Sequence, residues 1–249
     1  SSLSVQSASD VDQLTAQAGT ALLTGPGALT VNTTLSSGTG SFTKAGAGTL
    51  ILGPSAQDNY TGDTTVLAGK LLIDGLLTSN VTVTGGQLGG TGTVQGNVLV
   101  QSGGSASAGN LADSTGKLNI LGTYTQLGTM QIDIQGQGQG TGYDWIAATG
   151  NAGVQGSLQI ILDGYQPASL ETFDVLTAPT IVETGPITID DALAPLLPAQ
   201  YWMYRILGDP GQGMILQLQV GVPEPASLLL ALLGLAALGG YAVFRRRKR

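Results

Sequence analysis

Short apolar runs punctuated by glycine recur along this chain. Gly48-Thr49-Leu50-Ile51-Leu52-Gly53, Gly69-Lys70-Leu71-Leu72-Ile73-Asp74-Gly75, Gly116-Lys117-Leu118-Asn119-Ile120-Leu121-Gly122 and Gly156-Ser157-Leu158-Gln159-Ile160-Ile161-Leu162-Asp163-Gly164 share one phrase. Each reads glycine, a small or polar residue, aliphatics, then glycine. Met130-Gln131-Ile132-Asp133-Ile134 alternates apolar and polar residues, the period of a strand with one face inward and one outward. Val81-Thr82-Val83-Thr84 and Val98-Leu99-Val100 fall between the longer phrases. Runs of about four to six residues bounded by glycine turns predict many short strands.

A single turn of such strands cannot bury its apolar face, whereas stacked turns make one continuous core. The pattern therefore predicts an all-β fold, a right-handed parallel β-helix, with helices nearly absent outside the C-terminal tail. An antiparallel β-sandwich is the alternative, because the same alternation serves either pairing. Residues 11–18 fit a short capping helix or a first strand. Residues 165–220 hold more prolines and the aromatic run Tyr201-Trp202-Met203-Tyr204, and read as a β segment closing the end of the solenoid.

The last residues break the pattern. Val222-Pro223-Glu224-Pro225 is followed by an uncharged apolar stretch over 226–244 and then by Arg245-Arg246-Arg247-Lys248-Arg249. About 20 apolar residues suffice to cross a bilayer as a helix, and terminal basic residues hold a tail on the cytoplasmic side. Each proline fixes φ and biases its predecessor away from the helical region, so 222–225 is expected to stay extended. The organisation expected is a repeat region over 1–164, a closing segment over 165–221, and a C-terminal signal over 222–249.

That three-part tail resembles the PEP-CTERM sorting signal of exported bacterial proteins. The resemblance implies recognition of Pro223, Glu224 and Pro225 by a membrane-embedded exosortase-type protease. It also implies removal of the helix and passage to the cell surface or extracellular matrix. Export in turn implies a leader peptide preceding Ser1. A second resemblance lies in 38–75. There Lys44-Ala45-Gly46-Ala47-Gly48-Thr49-Leu50, Asn59-Tyr60-Thr61-Gly62-Asp63-Thr64 and Ala68-Gly69-Lys70-Leu71 follow in the order seen in autotransporter-associated β-strand repeats. Those repeats form β-helical passengers. Ser107-Ala108-Gly109-Asn110 is similar, more loosely, to their Pro-Gly-Asn turn. That family delivers its passengers through a C-terminal barrel; here a single helix is expected instead.

Composition narrows the chemistry. Cysteine and histidine are both absent, which excludes disulfides, Cys–His zinc sites and Ser-His-Asp or Cys-His catalysis. Charged residues make up 10%, against about 25% in an average globular chain, and glycine contributes 39 of 249 residues. Without 245–249, four basic residues (Lys44, Lys70, Lys117, Arg205) face sixteen acids, a charge of about −12. Such a body does not bind nucleic acid by neutralising phosphates.

The remaining candidates are weak. Gly140-Thr141-Gly142-Tyr143-Asp144-Trp145 overlaps a calcium-binding nonapeptide, but one copy cannot supply the six to eight oxygens calcium takes; a glycine turn leading into a buried Trp-Ile strand is expected instead. The low-complexity stretch 135–142 reads as a flexible loop. Asp190-Asp191 is the one adjacent carboxylate pair, and it reads as a solvated loop. Asp133 and Asp144 show no basic partner in sequence. Asn32, Asn59 and Asn80 each begin an Asn-x-Thr triplet, which is also ordinary turn chemistry.

The expectation is thus an exported structural or adhesion protein of the surface or biofilm matrix. It is not an enzyme and has no metal or cofactor. Its partners would be the protease, transiently the inner membrane, and exopolysaccharide or copies of itself. The alternative is a carbohydrate-active enzyme, a polysaccharide lyase or hydrolase on the same scaffold.

Overall fold

The computed structural model describes residues 2–5, 9–11, 19–23, 27–32, 40–58, 60–110, 114–209 and 213–223. Among them every regular element is a strand. Two strands each make the first two turns: β1 (Ser2–Val5) with β2 (Ser9–Val11), and β3 (Gly19–Leu23) with β4 (Ala28–Val31). Three-strand turns follow: β5 (Phe42–Ala45), β6 (Thr49–Leu52), β7 (Gln57–Asp58); then β8 (Thr64–Val66), β9 (Lys70–Ile73), β10 (Leu76–Leu77). Next come β11 (Val81–Val83), β12 (Gln87–Gly89), β13 (Thr93–Val94), and β14 (Val98–Val100), β15 (Ser105–Ala106), β16 (Lys117–Ile120). The last are β17 (Tyr124–Gln126), β18 (Thr129–Ile134), β19 (Trp145–Ala148), β20 (Ala152–Leu162), β21 (Thr172–Ala178), β22 (Ile181–Leu193), β23 (Tyr201–Asp209) and β24 (Gly213–Gly221). Val11 ends β2, and residues 12–18 lie outside the described residues, as does the tail from 224 onward.

Each strand from β1 to β22 pairs in parallel with its counterpart one turn away, so the chain winds as a β-helix-like solenoid. One face runs β1-β3-β5-β8-β11-β14-β17-β20, a second β2-β4-β6-β9-β12-β15-β18-β20, and a third β7-β10-β13-β16-β19-β21. The antiparallel sandwich is not formed: among the described residues, antiparallel ladders occur only where β24 joins β21 and β23 joins β24. Strand β20 belongs to two faces: 152–154 continue β17, and 157–162 continue β18. Gly156, at φ 88°, turns the corner between them. β22 follows β20 with two register breaks, has Pro186 within it and pairs with no other strand among the described residues.

In-register pairing stacks like on like. Leu29, Leu50, Leu71, Leu88, Ala106, Met130 and Leu158 form one inward column and are all buried. Removing a buried leucine from such a column costs about 2–5 kcal/mol. Two inward columns hold an ionisable residue beside aliphatic neighbours. Lys44 lies in register with Val66, Val83 and Val100, and Asp58 with Leu77, Val94 and Ile120. Outside, asparagine ties successive turns together. Asn80 Nδ2 donates to Asp63 Oδ1 at 3.0 Å, Asn97 N to Asn80 Oδ1 at 2.9 Å, and Thr123 N and Oγ1 to Asn97 Oδ1 at 2.8 and 2.9 Å. The Asn80 triplet therefore serves a turn, its side chain engaged at both ends.

The end of the winding is covered by the β21-β24-β23 sheet. Phe173 packs edge-on against Tyr143 at 5.2 Å between ring centroids and tilted against Trp202 at 5.9 Å. Trp202 Nε1 donates to Ala194 O at 3.1 Å.

Candidate functional site: repeat clasp, polar groove and chain exit

Lys44 is fully buried, and its ammonium is satisfied by backbone. Nζ donates to Ala45 O at 3.0 Å and Gly46 O at 2.9 Å in its own turn, and to Ala68 O at 2.9 Å in the next. Burial without a counter-charge pulls its pKa down to about 8. The lysine thus clasps two turns of the solenoid. Gly69, at φ 68°, passes directly over the clasp: a Cβ there would meet Lys44 Nζ at 2.7 Å and overlap the carbonyls of Gly46 and Gly48. A second buried network lies below. Tyr60 Oη shares a short hydrogen bond with Thr64 Oγ1, which bonds Ser79 Oγ at 2.6 Å. Asp58 Oδ1 accepts from Tyr60 N at 3.2 Å, while Asp58 Oδ2 has no partner among the described residues, and burial pushes the Asp58 pKa up to about 7.

A polar groove opens on the outer surface of the second face. Residues 107–110 fold back over β9 and β12, through paired bonds between Gly90 and Gly109, and cover Leu72. The result is a cavity of about 100 Å³ lined by Lys70, Gln87, Ser107, Gln131 and Asp133 among others. Gln87 Nε2 donates to Gln131 Oε1 at 3.2 Å, and Gln131 Nε2 to Asp133 Oδ2 at 2.9 Å. Beneath the groove, Ser107 Oγ donates to Asp144 Oδ2 at 2.9 Å. Asp144 also accepts from Gly116 N and Asp133 N, each at 3.2 Å. Burial, and then the neighbouring Asp133 charge, push the Asp144 pKa up to about 8; burial also raises that of Asp133. Asp144 is committed to bracing three segments. Among the described residues no group of three or more metal-ligating acids converges.

The chain leaves the fold at the far end. β24 ends at Gly221, opposite Tyr201. Val222 and Pro223 then line an open cavity with Ser169, Leu197, Pro198, Ala199 and Gln200. Gln200 fastens the two flanking loops, accepting from Leu197 N at 3.0 Å and donating to Ser169 Oγ at 2.9 Å.

Comparison with known families assigns both ends of this geometry. Residues 221–248 match the PEP-CTERM protein-sorting motif. Residues 42–73 match the passenger-associated-transport-repeat. The chain therefore carries a sorting motif that implies export and processing by an exosortase membrane protein, attached to a repeat of the passenger type. No curated protein matches the chain. The transport repeat contains the Lys44 clasp, Gly46, Gly48, Tyr60, Thr64 and Gly69. Two of its glycines, Gly62 and Gly69, stand where turns touch backbone to backbone, and Gly69 also passes over the ammonium.

Of the sorting-motif residues singled out in sequence, Pro223 sits at the exit cavity. Glu224, Pro225, Arg245, Arg246, Arg247, Lys248 and Arg249 lie outside the described residues, as do 226–244, Asn59 and the Thr33 and Thr34 of the first Asn-x-Thr triplet. Other expectations are corrected. Asp190 and Asp191 belong to strand β22 rather than a loop, with Asp190 Oδ2 accepting from Gln159 Nε2 at 3.1 Å. The stretch 135–142 closes on itself through bonds from Gln135 N and Gly136 N to Gly142 O at 2.7 and 2.8 Å. Trp145 is half-buried, with Lys117 Nζ 4.0 Å over its ring. Asp133 and Asp144, treated separately in sequence, are brought together by Ser107, and the charge of Lys70 reaches Asp133. Nothing periodic signals that constellation, since Ser107 and Asp144 stand 37 residues apart.

Proposed function

We propose that the solenoid is the cargo and the tail its removable anchor. Residues 226–244 cross the inner membrane as one helix, and 245–249 hold the end in the cytoplasm. Pro223, Glu224 and Pro225 are read by the exosortase-type protease. The released body, wound right-handed as such crossovers prefer, acts as a structural or adhesive element of the cell surface or extracellular matrix. It engages exopolysaccharide or copies of itself and does no catalysis. The division into a repeat region (1–164), a closing segment (165–221) and a signal (222–249) belongs to this reading.

The observation that carries it is the placement of the sorting motif. It begins at the residue where the last strand ends, so the signal can be cut away without removing a paired strand. A carbohydrate-active enzyme is the second reading, and the groove favours it. Weighing against it, Asp144 is occupied by two backbone N–H groups and a serine, leaving Asp133 as the one acid facing the cavity among the described residues. Mass spectrometry of the native surface protein tests the sorting reading. A C-terminus ahead of the apolar stretch is expected, and an intact Arg249 on mature protein overturns it.

A further inference from the structure

We propose that the cap carries an apolar foot, formed by Leu170, Leu197, Pro198 and Tyr201, that rests on the lipid–water interface while the chain is anchored. This rests on the reading of 226–244 as a membrane helix. Three of the eight exposed large apolar residues among those described gather where the chain leaves the fold: Leu170 is 61% exposed, Leu197 53% and Tyr201 46%. Each touches the exit. Leu170 N donates to Val220 O at 2.8 Å, Leu197 and Pro198 line the cavity holding Val222 and Pro223, and the Tyr201 ring lies beside Gly221. Large exposed apolar side chains clustered in this way mark an interaction surface.

Chain length identifies the partner. Pro223 lies against the body, and the apolar stretch starts at Ala226. Three extended residues span at most about 11 Å. The polar layer on each side of a bilayer core is itself roughly 5–8 Å thick. The exit face is therefore held against the membrane, and whatever it presents meets lipid headgroups. What it presents is suited to them. From Ala194 to Tyr204 no residue is charged. The nearby carboxylate of Glu171 is turned into the loop, accepting from Tyr165 Oη at 2.5 Å and Ala168 N at 2.6 Å. Tyrosine placed between an apolar floor and water is a typical interfacial residue.

The foot is also held in shape. Leu170 (φ 67°) and Ala199 (φ 72°) are the non-glycine residues with left-handed backbone among those described, and both flank the exit. A side chain in that region costs about 1–3 kcal/mol and persists where its surroundings enforce it. Here Gln200 ties the two loops together. The foot would set the solenoid upright and keep Pro223 at the depth of a membrane-embedded protease.

The chain has no cysteine, so single-cysteine variants report one site each. Leu197→Cys, Thr82→Cys on the outer surface of the solenoid, and Leu233→Cys in the apolar stretch are each labelled with an environment-sensitive fluorophore. The full-length chain is then placed in phosphatidylethanolamine–phosphatidylglycerol vesicles containing lipid with a nitroxide near the headgroup, to read 197 and 82, or at mid-acyl chain, to read 233. Quenching at 233, and several-fold stronger quenching at 197 than at 82, is the expected result. Quenching at 233 with no difference between 197 and 82 overturns the foot and leaves the anchor standing. No quenching at 233 overturns the anchor, and the foot with it.

Discussion

Replacing Gly69 by alanine tests whether the transport repeat works as a clasp between turns. The backbone at Gly69 has φ 68°, where an L side chain costs about 1–2 kcal/mol. The added methyl would also overlap the carbonyls of Gly46 and Gly48 and come within 2.7 Å of Lys44 Nζ. Backbone cannot swing aside as a side-chain tip can, so the two turns must separate locally, and overpacking of this kind costs about 1–3 kcal/mol. Together the loss is about 2–5 kcal/mol, which for a chain of this size lowers Tm by roughly 5–15 °C. Thermal unfolding followed by circular dichroism measures it. Gly208→Ala is the control, because a Cβ at Gly208 meets nothing within 4 Å and the position has no left-handed backbone. Equal Tm values for the two variants would refute the clasp.

Stability should also depend on pH in an unusual direction. Asp58 (about 7), Asp144 (about 8) and Asp133 all have folded pKa values above the unfolded carboxyl value. The folded state therefore holds more protons between about pH 4 and 8, and stability falls as pH rises through that window. Tm is expected to be higher at pH 5 than at pH 8, with a shallower decline for Asp58→Asn; a flat or rising profile contradicts the burial of these acids. Asn97→Ala removes the acceptor for Thr123 N and Oγ1, which should cost about 1 kcal/mol at this exposed position. Asn97→Asp keeps that acceptor and should retain most of the stability in the same melting assay.

The strands were legible because glycine turns and alternating aliphatics mark them locally. Gly48 and Gly53 bracket β6 at Thr49–Leu52, and the inward leucines of β6 and β9 follow from period two. Other features depend on what lies one turn away. Lys44 and Asp58 occupy inward positions that alternation assigns to aliphatics, and only stacking reveals the carbonyls that receive the lysine. Leu72 and Asp133 face outward yet are covered, because the excursion through 107–110 returns across them. Gly156, read as the start of a strand, is the corner inside a longer one. The antiparallel closure by β23 and β24 has the same alternation as the parallel strands, so the sequence pattern could not distinguish them.

The shape of β22 bears on how large an assembly of this protein can grow. A parallel solenoid exposes at its last turn the same unpaired ladder that every earlier turn used to recruit its successor. In β22 that ladder is interrupted twice by register breaks, includes a proline that cannot donate, and bears Glu183, Asp190 and Asp191. A second molecule approaching end-on meets mismatched spacing and like charge instead of a template. Along β22, therefore, the solenoid is not built to lengthen by adding strand upon strand.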